Sequence, residues 1–126
     1  MSWNLDSDRP IFLQCVERIQ MDIISGKYKP GDKLPSVREL AALAAVNPNT
    51  MQKAFSKLER SGLVYSQRTA GRFITEDNTL IYELKTNLAK EKITEFIFSM
   101  HELVFSKEDI FSLIDEATKV ESICTH

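Results

Sequence analysis

The residues best suited to chemistry lie in Val46-Asn-Pro-Asn-Thr-Met-Gln-Lys-Ala54 and in the basic positions around it. An Asn or Gln amide can donate and accept at once along the edge of adenine, an Arg can do the same with guanine or grip a phosphate, and a Lys neutralises phosphate charge. Asn49, Gln52 and Lys53 place such groups within about one helical turn. This is the chemistry of recognition, not of bond making. No Ser/His/Asp or Cys/His pairing, Gly-rich phosphate loop or metal-ligand run occurs, and His101, His126 and Cys124 lack the spacing of a zinc site. The expectation is a protein with no enzymatic activity, no cofactor and no metal.

Positioning these groups requires two helices with a tight break between them. Pro48 cannot continue a helix begun upstream, but at the first position of a new one its missing N–H and fixed φ cost little. One helix therefore ends near Ala45 and another runs over residues 48–60, stopped by Ser61-Gly62. In this second helix Met51, Ala54, Phe55 and Leu58 recur at core-facing spacing, leaving Asn49, Gln52, Lys53, Ser56 and Arg60 outside. The helix before the break opens with Ser36-Val-Arg-Glu39, a capping box, and follows a turn at Lys29-Pro-Gly-Asp-Lys33. Further upstream, Pro10 starts a helix with Ile11, Phe12, Cys15, Val16, Ile19, Ile23 and Ile24 at helical spacing. Downstream, residues 63–67 and 72–75 read as strands joined by the basic tip Arg68-Thr-Ala-Gly71. Three helices followed by a hairpin make a winged helix-turn-helix.

The 126 residues suit one domain plus an appendage. A net charge of −2 hides a strong local imbalance: residues 27–72 hold nine bases and three acids, whereas the chain after residue 78 holds five lysines and nine acids. A basic centre with acidic flanks points to an anionic partner at one face. There is no run of about 18 apolar residues and no signal-type N-terminus, and the two cysteines match no disulfide or CxxC pattern. The expected setting is the reducing cytoplasm, without membrane contact.

Residues 79–100 return to helix, with Leu80, Ile81, Leu84, Leu88, Ile93, Phe96, Ile97 and Met100 read as one long apolar stripe. Ser106-Lys-Glu-Asp109 caps a last helix that carries Ile110, Phe111, Leu113, Ile114 and Ala117. These apolar faces exceed what a small wing can cover, so a second copy of the chain is the economical partner, with Phe96, Phe98, Phe105 and Phe111 in its core. The expected class is mainly α with a small β-hairpin: a winged helix-turn-helix over residues 1–77, a two-helix dimerisation hairpin over 78–120, and a disordered tail over 121–126.

Gly31-Asp-Lys-Leu-Pro-Ser-Val-Arg-Glu-Leu-Ala41, the Val46/Thr50/Ala54/Leu58 spacing, Gly62-Leu63 and Gly71-Arg-Phe-Ile74 together resemble the DNA-binding domain of GntR-type bacterial transcription regulators, over residues 10–76. The short helical remainder resembles the YtrA subfamily. The resemblance implies dimerisation through that helical pair and repression of the protein's own operon, often one encoding an ABC transporter. It also implies DNA contacts from Arg38, from Asn47, Asn49, Thr50, Gln52 and Lys53 at the turn and recognition helix, and from the wing around Gly71. Arg38, Asn49 and Gln52 would choose bases, while Lys53, Lys57, Arg68 and Arg72 would meet phosphate. Two positions depart from the family pattern: Thr69 stands where many members have a wing glycine, and Val104 follows Leu103 where a glycine is frequent.

The expected mechanism is a homodimer with recognition helices in successive major grooves of a pseudo-palindromic duplex operator. A small-molecule effector would act by favouring one dimer geometry; the side chains name none. The alternative is a winged helix that binds a protein and reads no DNA.

Overall fold

The computed structural model describes residues 3–124, with side chains described through residue 119. In chain order the elements are α1 (Ile11–Ile24), α2 (Val37–Ala44), α3 (Pro48–Arg60), β1 (Val64–Gln67), β2 (Gly71–Ile74), α4 (Asn78–Glu102) and α5 (Lys107–Cys124). They form two compact units, the first ending at Lys85 and the second starting at Thr86.

Local codes set most of these boundaries. Ser36 and Glu39 complete a reciprocal capping box at the start of α2: the Glu39 N–H donates to Ser36 Oγ at 3.1 Å and the Ser36 N–H donates to Glu39 Oε1 at 3.2 Å. Ala45 closes the same helix at φ +59°, and Asn47 caps α3 by accepting the Asn49 N–H at 2.7 Å, with Pro48 at the first helical position. At α4, Asp77 Oδ1 accepts from Thr79 and Leu80. Ser106 and Asp109 repeat the reciprocal pattern at α5.

The core of the first unit gathers Cys15, Val16, Ile19 and Ile23 of α1, Leu40, Ala41 and Ala44 of α2, and Met51, Ala54, Phe55 and Leu58 of α3, closed by Leu34, Leu63, Val64 and Ile74. Burial pushes the Cys15 thiol above its ordinary pKa, which keeps it a small protonated core residue. Gln14 is buried as well, although its type suggests otherwise. It accepts the Asp6 N–H and donates to the carbonyls of Asp6 and Arg9, so its amide fastens the segment before α1 and is fully partnered there.

The wing contains more than the hairpin read from the sequence. β1 and β2 pair antiparallel in the register Val64↔Ile74, Tyr65↔Phe73, Ser66↔Arg72 and Gln67↔Gly71. The Lys29–Lys33 turn then runs along the free edge of β2, where Gly31 N donates to Ile74 O, Ile74 N to Asp32 O and Leu34 N to Arg72 O, all within 2.8–2.9 Å. β2 is thus held on both sides, which removes an open edge.

Three features of the C-terminal part differ from expectation. Leu80, Ile81 and Leu84, read as dimerisation residues, pack against the core of the first unit, which is why that unit extends to Lys85 and not only to residue 77. The apolar residues of α4 also do not form one stripe. At 3.6 residues per turn, Leu80, Ile81, Leu84 and Leu88 share one side, while Ile93, Phe96, Ile97 and Met100 share another about 150° away, because the step from Leu88 to Ile93 breaks the three-and-four rhythm. Finally, α5 continues to Cys124, past the end at residue 120 expected from the sequence; the last two positions of the predicted tail lie outside the described residues.

Thr69 and Val104 both adopt left-handed backbone, at φ +62° and +64°. These are the two places where a glycine was the expected residue, and a β-branched side chain in this region is strained. Thr69 is exposed, and among the described residues its hydroxyl bonds only to the neighbouring Arg68 carbonyl. Thr69→Gly is therefore expected to raise the unfolding free energy by about 0.5–1 kcal/mol, as denaturant titration would register. A loss of stability would show that the wing tip carries no such strain.

Candidate nucleic-acid interface

The α2–turn–α3 unit sets which side chains of α3 face outward by burying one side of that helix. Met51, Ala54, Phe55 and Leu58 are each no more than 1% exposed, which fixes the helix's rotation and leaves Asn49, Gln52, Lys53, Lys57 and Arg60 on the outside. Gln52 makes one long contact, 3.4 Å, with Ser56 Oγ one turn away, so its amide is held weakly. Thr50 is half-buried at the start of the helix. Asn47 has committed its side-chain oxygen to the cap, so only its amide nitrogen remains for a ligand.

Arg38 is exposed one residue into α2, and among the described residues it has no ion-pair or hydrogen-bond partner. The two acids that might have paired with it are engaged elsewhere: Glu39 in the capping box and Asp32 with the Lys29 N–H at 2.8 Å. Arg68 stands exposed at the wing tip. Gly71 is also exposed, at φ +109°, a backbone conformation that favours glycine, and the end of the Lys33 side chain lies against it. Lys33, Ser36, Glu39, Phe55 and Arg72 line a cleft of about 230 Å³ between the wing and the start of α2.

Two of the cations expected to meet phosphate also make contacts within the fold. Lys53 Nζ lies 4.1 Å from the centre of the Phe12 ring, a cation–π contact that ties α3 to α1. Arg72 Nε donates to Glu59 Oε1, and the guanidinium sits 5.3 Å from the centre of the Phe55 ring. The contacts of Phe12 with Lys53 and of Glu59 with Arg72 left no signal in the sequence, because the partners are distant along the chain.

Residues 13–74 match the family described as bacterial regulatory proteins, gntR family. The chain is 38% identical over 111 residues to the HTH-type transcriptional repressor YtrA of Bacillus subtilis, covering 87% of this chain and 85% of the relative. It belongs to the GntR family. A second Bacillus subtilis relative, the HTH-type transcriptional regulator YhcF, is 40% identical and covers 94% of this chain and 98% of its own. Among solved structures, a GntR family transcriptional regulator from Listeria monocytogenes superposes with a TM-score of 0.83 at 39% identity, covering 89% and 98% of the two chains. The DNA-binding domain of AraR, solved in complex with operator ORX1, aligns with 60% of this chain and 92% of its own at a TM-score of 0.51 and 32% identity. As a GntR-type regulator the chain has a DNA-binding winged helix-turn-helix, and the exposed outer side of α3 lies within it. Among the described residues, no helix is long and apolar enough to cross a membrane.

Proposed function

We propose that this GntR-type protein is a homodimeric cytoplasmic repressor of its own operon, one of the kind that often encodes an ABC transporter. It would read a pseudo-palindromic operator with two copies of α3. The observation that carries the DNA-reading part is the exposure of Arg38 on α2, without a partner among the described residues, together with the exposed amides of Asn49 and Gln52 on α3, a cation and two amides presented to solvent on the two helices of the helix-turn-helix. Arg38, Asn49 and Gln52 select bases. Lys53, Lys57 and Arg68 meet phosphate, with Thr50 and the Asn47 amide at the groove edge.

Dimerisation rests on apolar exposure. Ile93, Phe96, Phe98, Leu103, Phe105, Phe111, Leu113 and Ile114 are each more than a third exposed, far more large apolar surface than a short helical segment keeps in water alone. A second copy brings the same surface to meet it, as two-fold symmetry requires. An effector, where one acts, shifts the balance between dimer geometries.

The test is binding to DNA upstream of the protein's own gene, beside an unrelated fragment of equal length, over a range of salt. Selective binding of two chains per site, weakening steeply with salt, supports the reading. Equal weak binding to both fragments, with no site found in a genome-wide selection, would overturn it in favour of a protein partner. Within the same assay Arg38→Ala is expected to lose about 1–3 kcal/mol of specific binding while remaining folded. Unchanged affinity would remove Arg38 from the interface.

A further inference from the structure

Arg72 joins two elements that approach DNA separately. It stands on β2, yet its guanidinium donates to Glu59 on α3 and lies over Phe55 of the same helix. Both partners of the ion pair are sheltered, with side chains 28% and 32% exposed, unlike the open pairs Arg9–Glu17 and Lys119–Asp115. Phe55 is fully buried and cannot follow the wing if the wing moves. Lys33 lies against Gly71 in the cleft that Phe55 and Arg72 also line, and the Gly31–Leu34 backbone bonds to the free edge of β2. Glu59 is the one acid in α3, and without Arg72 its charge would stand bare on the helix that meets phosphate.

We propose that Arg72 is a positioning residue: it clamps the wing to the recognition helix through Glu59 and Phe55, and so sets the distance between the two DNA-contacting elements without itself holding phosphate. This rests on the DNA-reading function proposed above. The two roles predict opposite behaviour for Glu59. If Arg72 held phosphate, removing the nearby acid would leave binding unchanged or tighten it; if Arg72 is a clamp, losing either partner releases the wing.

The experiment uses the full chain and a duplex that the wild type enriches from a random-sequence pool. Binding is measured for Arg72→Met, Glu59→Gln, the two together, and the reversed pair Arg72→Glu with Glu59→Arg. Amide hydrogen exchange of β2 and of α3 is followed in each free protein. Each single change is expected to weaken binding about five- to tenfold, the double to be no worse than either single, and the reversed pair to recover to within about threefold of wild type. Exchange should quicken in β2 but not in the buried turns of α3, which separates a loosened wing from general destabilisation. Wild-type or tighter binding by Glu59→Gln, together with a reversed pair weaker than either single, would overturn the clamp and make Arg72 a phosphate contact. If the wild type enriches no duplex, the DNA-reading function fails by itself, and exchange then decides the clamp. Faster β2 exchange in both singles, restored in the reversed pair, upholds it; unchanged exchange overturns it.

Discussion

A chain carrying Ile93→Asp and Phe96→Asp is expected to sediment as a monomer and to bind a two-half-site operator about a hundredfold or more weakly than the parent chain, with its helical content kept. Both residues are on the second apolar side of α4, at 59% and 39% exposure, so aspartate there meets water in a single chain and costs little stability. In a dimer the same substitutions would bury two carboxylates per subunit against an apolar partner, a cost that association cannot offset. The loss in DNA affinity follows from geometry. When two recognition helices are joined, the second half-site binds at a high effective concentration, an advantage of roughly 10²–10⁴ that a monomer forfeits. Sedimentation and operator titration on the same sample check both halves. A variant that stays dimeric, or a monomer that binds as tightly as the parent, would place the dimer contact elsewhere.

Phe55→Ala carries the largest expected effect on folding, a loss of about 3–5 kcal/mol. Phe55 is completely buried, central to the cluster shared by the three N-terminal helices, and it also supports the Arg72 guanidinium. Truncation leaves a void the size of an aromatic ring beneath the recognition helix. Against a typical domain stability of roughly 5–15 kcal/mol, that loss is a large fraction of the whole. Urea titration should show a much lower midpoint with an unchanged slope. Leu43→Ala is the control: Leu43 is 51% exposed, and its truncation should shift stability by less than about 0.5 kcal/mol. Similar losses at both positions would mean that burial does not govern stability here.

Particular residues show how far the sequence could be read. The bounds of α3 were legible to the residue because Asn47, Pro48 and Ser61-Gly62 act through bonds within a few positions of themselves. The reciprocal caps at Ser36 and Ser106 were legible for the same reason. The polar outer side of α3 followed from the spacing of Met51, Ala54, Phe55 and Leu58, since a helix can bury only one side on a small core. The break of rhythm between Leu88 and Ile93 is present in the sequence too, since a step of five residues turns the apolar side by about 140°.

Other features had no local signal. The third edge of the wing depends on Gly31–Leu34 reaching β2 across two intervening helices, and hydrogen bonds of that range leave no periodicity behind. Lys53 and Arg72 look like free cations in the chain, and only folding brings Phe12 under one and Glu59 beside the other.

By itself, then, the sequence determined the helix ends, the buried side of the recognition helix and the family of the fold, because caps, prolines and apolar spacing act over single turns of chain. Tertiary structure alone decided which cations meet a partner inside the fold, as Lys53 meets Phe12 and Arg72 meets Glu59, and which, like Arg38, remain open to solvent, because a charge finds its partner through space and not along the chain.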